Sequence, residues 1–162
     1  MQNTVKTVGL GMCWEELEVG FKFQTIGRTI TEADLVNFIN CTGMVEVLFT
    51  DVEYANKHSP MQGRVVPGAL AYTMSEGLLV QSTMQHTGLA FLNMEFNVKG
   101  PTFVDDTIHV EVEVLESRAT SKGRGLVRTM NHIVNQRGET VIEYNPLRVV
   151  AGRERRDGTS EG

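Results

Sequence analysis

A chain of 162 residues with 41% apolar and 22% charged side chains has enough apolar material for one packed domain and is too apolar to be disordered. A formal net charge of −5 argues against the basic face that a nucleic-acid backbone demands, so no nucleic-acid partner is expected. The only two cysteines, Cys13 and Cys41, form neither a CxxC pair nor a disulfide scaffold, and no apolar run approaches membrane-spanning length.

Residues 1–14 lack a basic patch followed by a long apolar stretch, so no signal peptide and no membrane association are expected and a cytoplasmic location is the default. Residues 21–30 alternate apolar and polar side chains, which predicts a first strand. Thr31 is a good N-cap with Asp34 three residues on, and Leu35, Val36, Phe38 and Ile39 form an apolar stripe. A helix running to about Asn40 and ending at Cys41-Thr42-Gly43 is therefore predicted. Residues 44–61 are expected to hold a short helix with Tyr54 and Ala55, capped by Asp51, and then a loop around Ser59-Pro60-Met61-Gln62-Gly63.

From Pro67 to Val80 the chain is apolar nearly all round, as expected of a central helix buried on most sides. Pro67 suits its first turn, and Gly68 lets another group approach the backbone closely. After Gly88 the period changes to two. Strands are predicted over 89–99, 108–114, 126–134 and 140–149, with Asn135-Gln136-Arg137-Gly138 as the last hairpin turn. The expected fold class is α+β, a curved antiparallel sheet wrapped around a long central helix. One domain is expected over residues 1–151, and the charged, small residues of 152–162 read as a disordered tail.

Three stretches within residues 14–150 resemble the MaoC-like dehydratases and (R)-specific enoyl-CoA hydratases of the hot-dog superfamily. They are Gly27-Arg28-Thr29-Ile30-Thr31-Glu32-Ala33-Asp34 with Phe38 and Thr42-Gly43; Arg64-Val65-Val66-Pro67-Gly68; and residues 92–114 with Gly100-Pro101 and Asp105-Asp106-Thr107. The resemblance implies a hot-dog fold and an acyl thioester, of CoA or of acyl-carrier protein, as substrate. No metal and no further cofactor are implied. It also implies at least a homodimer, since an open sheet edge needs cover.

The family motif runs serine- or threonine-glycine, aspartate, any residue, asparagine, proline, an aliphatic residue and histidine, and then tyrosine-alanine. Counting back from Tyr54-Ala55, this chain has Met44 at the aspartate, Glu46 at the asparagine, Val47 at the proline and Phe49 at the histidine. Methionine and phenylalanine transfer no protons, so the family's usual acid/base pair is missing. What the resemblance carries over is Gly68, with Ala69 beside it: first-turn amides of a buried helix that point positive charge at a thioester carbonyl.

Glu46 is the candidate substitute acid/base, expected in a partly apolar setting with Met44 and Phe49 as pocket lining; its bland role is a solvated loop glutamate. Glu76 is a second carboxylate candidate, because hot-dog thioesterases commonly carry one on the central helix; its bland role is an ion pair. Tyr72 is expected in the core with its hydroxyl near the pocket. The four histidines, His58 in a loop, His86 past the central helix and His109 and His132 in strands, show no metal-ligand spacing. Arg64, Lys99, Arg118, Lys122 and Arg124 are candidates for CoA phosphates or merely scattered surface charge. The leading expectation is a hydratase or dehydratase of enoyl or 3-hydroxyacyl thioesters. A thioesterase and a catalytically inactive thioester-binding subunit are the alternatives.

Overall fold

The computed structural model describes residues 5–158. A 3₁₀ turn, Trp14–Glu16, precedes two short strands, β1 (Lys22–Gln24) and β2 (Arg28–Thr29). The single strand expected over 21–30 is broken at Thr25. Its hydroxyl accepts the Val110 N–H at 3.0 Å, in the place where a ladder carbonyl would stand. Helix α1 (Glu32–Thr42) starts as expected: the Thr31 hydroxyl accepts from Asp34 N–H at 3.2 Å, and the Asp34 carboxylate accepts from Thr31 N–H at 2.8 Å. That second bond, the largest influence on it, holds the Asp34 carboxyl below the usual range. Gly43 ends the helix at φ 73°, a conformation glycine adopts without strain.

The segment 44–61 forms α2 (Val47–Thr50) and α3 (Val52–His58), with the Asp51 carboxylate capping Tyr54 N–H at 2.9 Å. The central helix is α4 (Gly68–Thr83). The strands that follow are β3 (Gly88–Asn93), β4 (Phe96–Val98), β5 (Thr107–Ala119), β6 (Arg124–Val134), β7 (Thr140–Tyr144) and β8 (Leu147–Ala151).

Among the described residues all eight strands belong to one antiparallel sheet. β1 and β2 lie on β5, β5 lies on β6, and β6 carries β7 along one half and β8 along the other. β4 and β3 then form the outer edge, on β7 and β8 respectively.

Two of the four strands expected after the central helix are thus split, and the splits face each other. Asn145-Pro146 interrupts 140–151, since proline donates no ladder bond, and Met94-Glu95 interrupts 88–98. Asn145 stitches them together: its side-chain carbonyl accepts from Glu95 N–H at 2.7 Å, and its own N–H donates to the Glu95 carbonyl at 3.2 Å. A bend at the same level in neighbouring strands curves the sheet around α4.

The core lies between them. Leu70, Ala71, Met74, Leu78 and Leu79 of α4 are buried, and most pack with Ile30, Leu35, Ile108, Val110, Ile133 and Ile142. The expectation that α4 would be covered on most sides is corrected here. Ala69, Thr73, Gly77 and Val80 stay exposed along one face, because a single sheet covers a helix from one side only. The tail also begins differently from the reading. Arg153–Arg156 make one helical turn, which Arg156 ties to Glu16 at 2.8 Å and to the Gly11 carbonyl at 3.2 Å. Residues 159–162 of that expected tail lie outside the described residues. No helix among the described residues is long and apolar enough to cross a membrane.

Candidate active site

The site is built on the N-terminus of α4. Pro67 is its N-cap, with φ −56° and ψ 136°, one position before the first turn where the sequence placed it. Pro67 accepts from Leu70 N–H at 2.9 Å, while the Gly68 and Ala69 amides have no acceptor within the helix and point out of its positive end. Gly68 lies against the edge of the sheet. A Cβ added there would sit 3.7 Å from Val98 Cγ2, an ordinary contact.

Arg64 brings the motif segment to this end of the molecule. Its Nε and Nη2 grip the Glu32 carboxylate at 2.7–3.2 Å, and its Nη1 donates to the Phe49 carbonyl at 2.6 Å. One guanidinium thereby joins the start of α1, the end of the motif and the turn leading into α4, the bidentate grip that lysine could not supply. The same hydrogen bonds hold the Glu32 carboxyl below its ordinary value. Phe49 packs against the main core, and Met44 is 39% exposed.

Glu46 is the N-cap residue of α2. Its carbonyl accepts from Phe49 N–H at 2.9 Å and Thr50 N–H at 3.2 Å, but its carboxylate caps nothing and is exposed. The partly apolar setting expected around Glu46 is therefore not present in the single chain. Phe49 has turned inward to the core instead.

Glu76 stands two turns further along α4, about 12 Å from Gly68. It pairs with Arg148 at 2.5 Å and accepts from the Tyr144 hydroxyl at 2.8 Å, and the two paired side chains are only 17% and 15% exposed. Burial, with the Glu76 charge adding to it, pushes the Tyr144 hydroxyl well above its usual range. Tyr72 is half-buried beside it and is pushed up by the same two causes.

Removing one partner of so enclosed a pair leaves the other charge uncompensated. Glu76→Ala is thus expected to cost about 3 kcal/mol and to lower Tm by about 6–12 °C. The double variant Glu76→Met/Arg148→Met is expected to recover most of that loss. Thermal melts check both, and a Tm untouched by Glu76→Ala would show that the pair holds nothing together.

Of the basic candidates, Arg64 and Lys99 lie at the Gly68 end, where Lys99 follows Val98 and faces Glu143 at 3.6 Å. Arg118, Lys122 and Arg124 lie at the β5–β6 hairpin, beside the Trp14 turn and Gly152. His109 and His132 face Glu111 and Glu143 from their strands. His58 closes α3 and is not in the loop expected for it. Among the described residues no group of three His, Cys, Asp or Glu side chains could hold a metal ion. The sequence reading missed Tyr144, Arg148 and Phe96. The one available signal was a carboxylate, Glu76, on an apolar helix, which requires a cation to meet it.

Comparison with known proteins places this geometry. The model of the MaoC-like domain family matches residues 16–136. No curated protein matches the sequence. Among solved structures, the MaoC-like dehydratase of Rhodospirillum rubrum is 28% identical, with a TM-score of 0.75 over 88% of this chain and 99% of that one. The R-hydratase PhaJ1 of Pseudomonas aeruginosa, in unliganded form, is 25% identical, with a TM-score of 0.74 over 88% of each chain. A Mycobacterium tuberculosis protein with a double hot-dog fold superposes with a TM-score of 0.78 at 18% identity, over 91% of this chain and 46% of that one, and speaks for the fold alone. With its sheet curved around α4 and the family model spanning most of its length, this chain belongs to the MaoC-like domain family and has the hot-dog fold.

Proposed function

We propose that this chain binds an acyl thioester, of CoA or of acyl-carrier protein, with its carbonyl on the Gly68 and Ala69 amides, and interconverts enoyl and 3-hydroxyacyl forms. Glu46 takes the proton of the attacking water as its oxygen joins the β carbon, and returns a proton to the α carbon; one carboxyl suffices for both transfers. The negative charge that gathers on the thioester oxygen in between is met by the helix N-terminus. No metal takes part. The observation that carries the reading is the open N-terminus of α4, with the motif segment clamped beside it by Arg64. The family match and the likeness to an R-hydratase support it.

The test mixes the protein with crotonyl-CoA, 3-hydroxybutyryl-CoA and longer analogues and follows enoyl absorbance together with free thiol. Loss of absorbance without thiol release is the expected result. Thiol release would instead make it a thioesterase, with Glu46 or Glu76 activating water. A second reading, a thioester-binding subunit without chemistry, is favoured by Met44 and Phe49 at the positions of the usual acid/base pair. Neither signal with tight thioester binding would establish it.

The edge formed by β3 and β4 is paired on one side only and exposes Phe91 (46%), Leu92 (50%) and Val98 (58%). An apolar open edge invites pairing, and a second copy laid along it, beside the Gly68 end, is the proposed cover. Sedimentation at micromolar concentration is expected to give a dimer or larger, and a purely monomeric species would refute it.

A further inference from the structure

Two rigid supports meet at Arg64. Its backbone belongs to the run that enters α4: Val65 and Val66 are buried, Val65 bridges to Phe103, and the Arg64 carbonyl accepts from Val104 N–H at 2.9 Å. Gly68 stands four residues on, so the guanidinium and the open amides of α4 are carried by one fixed stretch of backbone. The second support is Glu32, the first residue of α1, a helix fixed by its capping box and by buried Leu35 and Ile39. Both Glu32 oxygens are bonded to the guanidinium, which holds its plane and aims Nη1 at the Phe49 carbonyl.

The segment on the far side of that last bond is thinly held. Residues 41–47 are all exposed, and α2 packs chiefly against α3, of which only Ala55 is buried. Phe49 ties α2 to the body of the protein in two ways. Its ring enters the core, and its carbonyl, in the last turn of the helix, takes the Arg64 donor at 2.6 Å. α2 itself is one closed turn, in which the Glu46 carbonyl accepts from Phe49 N–H at 2.9 Å and from Thr50 N–H and hydroxyl at 3.2 Å. Fixing one end therefore fixes the other, and Glu46 stands at that other end, about 5 Å along the axis.

We infer that Arg64 is a positioning residue: by fixing the Phe49 carbonyl to the stretch of backbone that also carries Gly68, it sets where Glu46 stands relative to the amides that receive the thioester. The inference rests on the reading of Glu46 as the acid/base group. Arg64 acts through α2 and touches no reacting atom. A carboxyl that must reach first a water and then the α carbon is sensitive to displacement, and a shift of about 1 Å costs on the order of 10²-fold in rate. Lysine cannot take over, because an ammonium lacks the planar fork that spans Glu32 and the Phe49 carbonyl together.

Kinetics on crotonyl-CoA and amide exchange followed by mass spectrometry test the role together. Arg64→Met keeps the stem and removes the fork, and is expected to lower kcat by about 10–10²-fold while KM changes by less than about threefold. Arg64→Lys is expected to recover little of that loss. In a Glu46→Gln background the same Arg64→Met substitution is expected to cost less than about twofold more, since a group already removed cannot be misplaced. The amides of Phe49, Thr50 and Asp51, which close α2, should exchange about tenfold faster or more in Arg64→Met, with those of Leu78 and Leu79 in α4 unchanged. Should Arg64→Met fail to fold, Glu32→Gln loosens the same guanidinium at a side chain 53% exposed, with the same pattern expected at smaller size. Equal losses from Arg64→Met in the wild-type and Glu46→Gln backgrounds, or unchanged exchange in α2, would overturn the positioning role and leave the hydratase reading standing. No turnover by the wild type would overturn the hydratase reading and the catalytic role of Arg64 with it, whatever the exchange shows.

Discussion

Glu46→Gln is expected to lower turnover of an enoyl thioester by about 10²–10⁴-fold, the usual worth of a positioned acid/base group, while binding changes far less. The substitution keeps the shape of the side chain and removes only the proton it exchanges. It is also structurally mild, because the carboxylate is exposed and caps no amide of α2, so stability is expected to stay within about 0.5 kcal/mol. A wild-type pH–rate profile should contain one ionisation that is missing in the variant. Full activity in Glu46→Gln, with loss of activity in Glu76→Gln, would reverse the roles and move the protein toward the thioesterase reading. The Glu76 variant must be measured below its own lowered melting temperature for that comparison to hold.

Gly68→Pro deletes a single N–H and little else, and is expected to lower turnover by about 10²–10³-fold, the cost of one lost oxyanion donor. Proline is well tolerated at the first helical position, where its fixed φ matches the helix and its missing N–H breaks no intrahelical bond. The residue before it is already Pro67, at ψ 136°, a conformation that a following proline accepts. A Cβ at this position meets only Val98, at 3.7 Å, an ordinary contact. Melting temperature is expected to hold while kcat falls. Gly68→Ala, which keeps the N–H, is the control and should retain most of the activity; equal losses in both would show that bulk at Gly68, not its amide, is what matters.

Local chemistry explains which parts of this protein are legible in its sequence. The Thr31-Asp34 capping box, the Asp51 cap, the glycine stop at Gly43, the alternation of β5 and the unbroken apolar run of α4 each depend on neighbours a few residues away. The family resemblance, with Tyr54-Ala55 setting the register, puts Met44 and Phe49 at the positions of the usual acid/base pair. The boundaries of the edge strands were less legible. Asn145-Pro146 announces a break in 140–151, but the matching break at Met94-Glu95 exists because Asn145 reaches across fifty residues to Glu95.

The candidate site divides along the same line. Composition, caps and period determined a helix-and-sheet domain and the position of its central helix, and the family resemblance drew attention to the first-turn amides at Gly68. Only the tertiary structure decided that Glu76 is held by Arg148 and Tyr144, that Arg64 clamps Phe49 and Glu32, and that Tyr72 closes against Phe96. Each of these pairings joins residues 15 to 72 positions apart. Which of them meet is set by strand register and by the face of α4 turned to the sheet, and a one-residue slip in either would exchange every partner while leaving the local pattern intact.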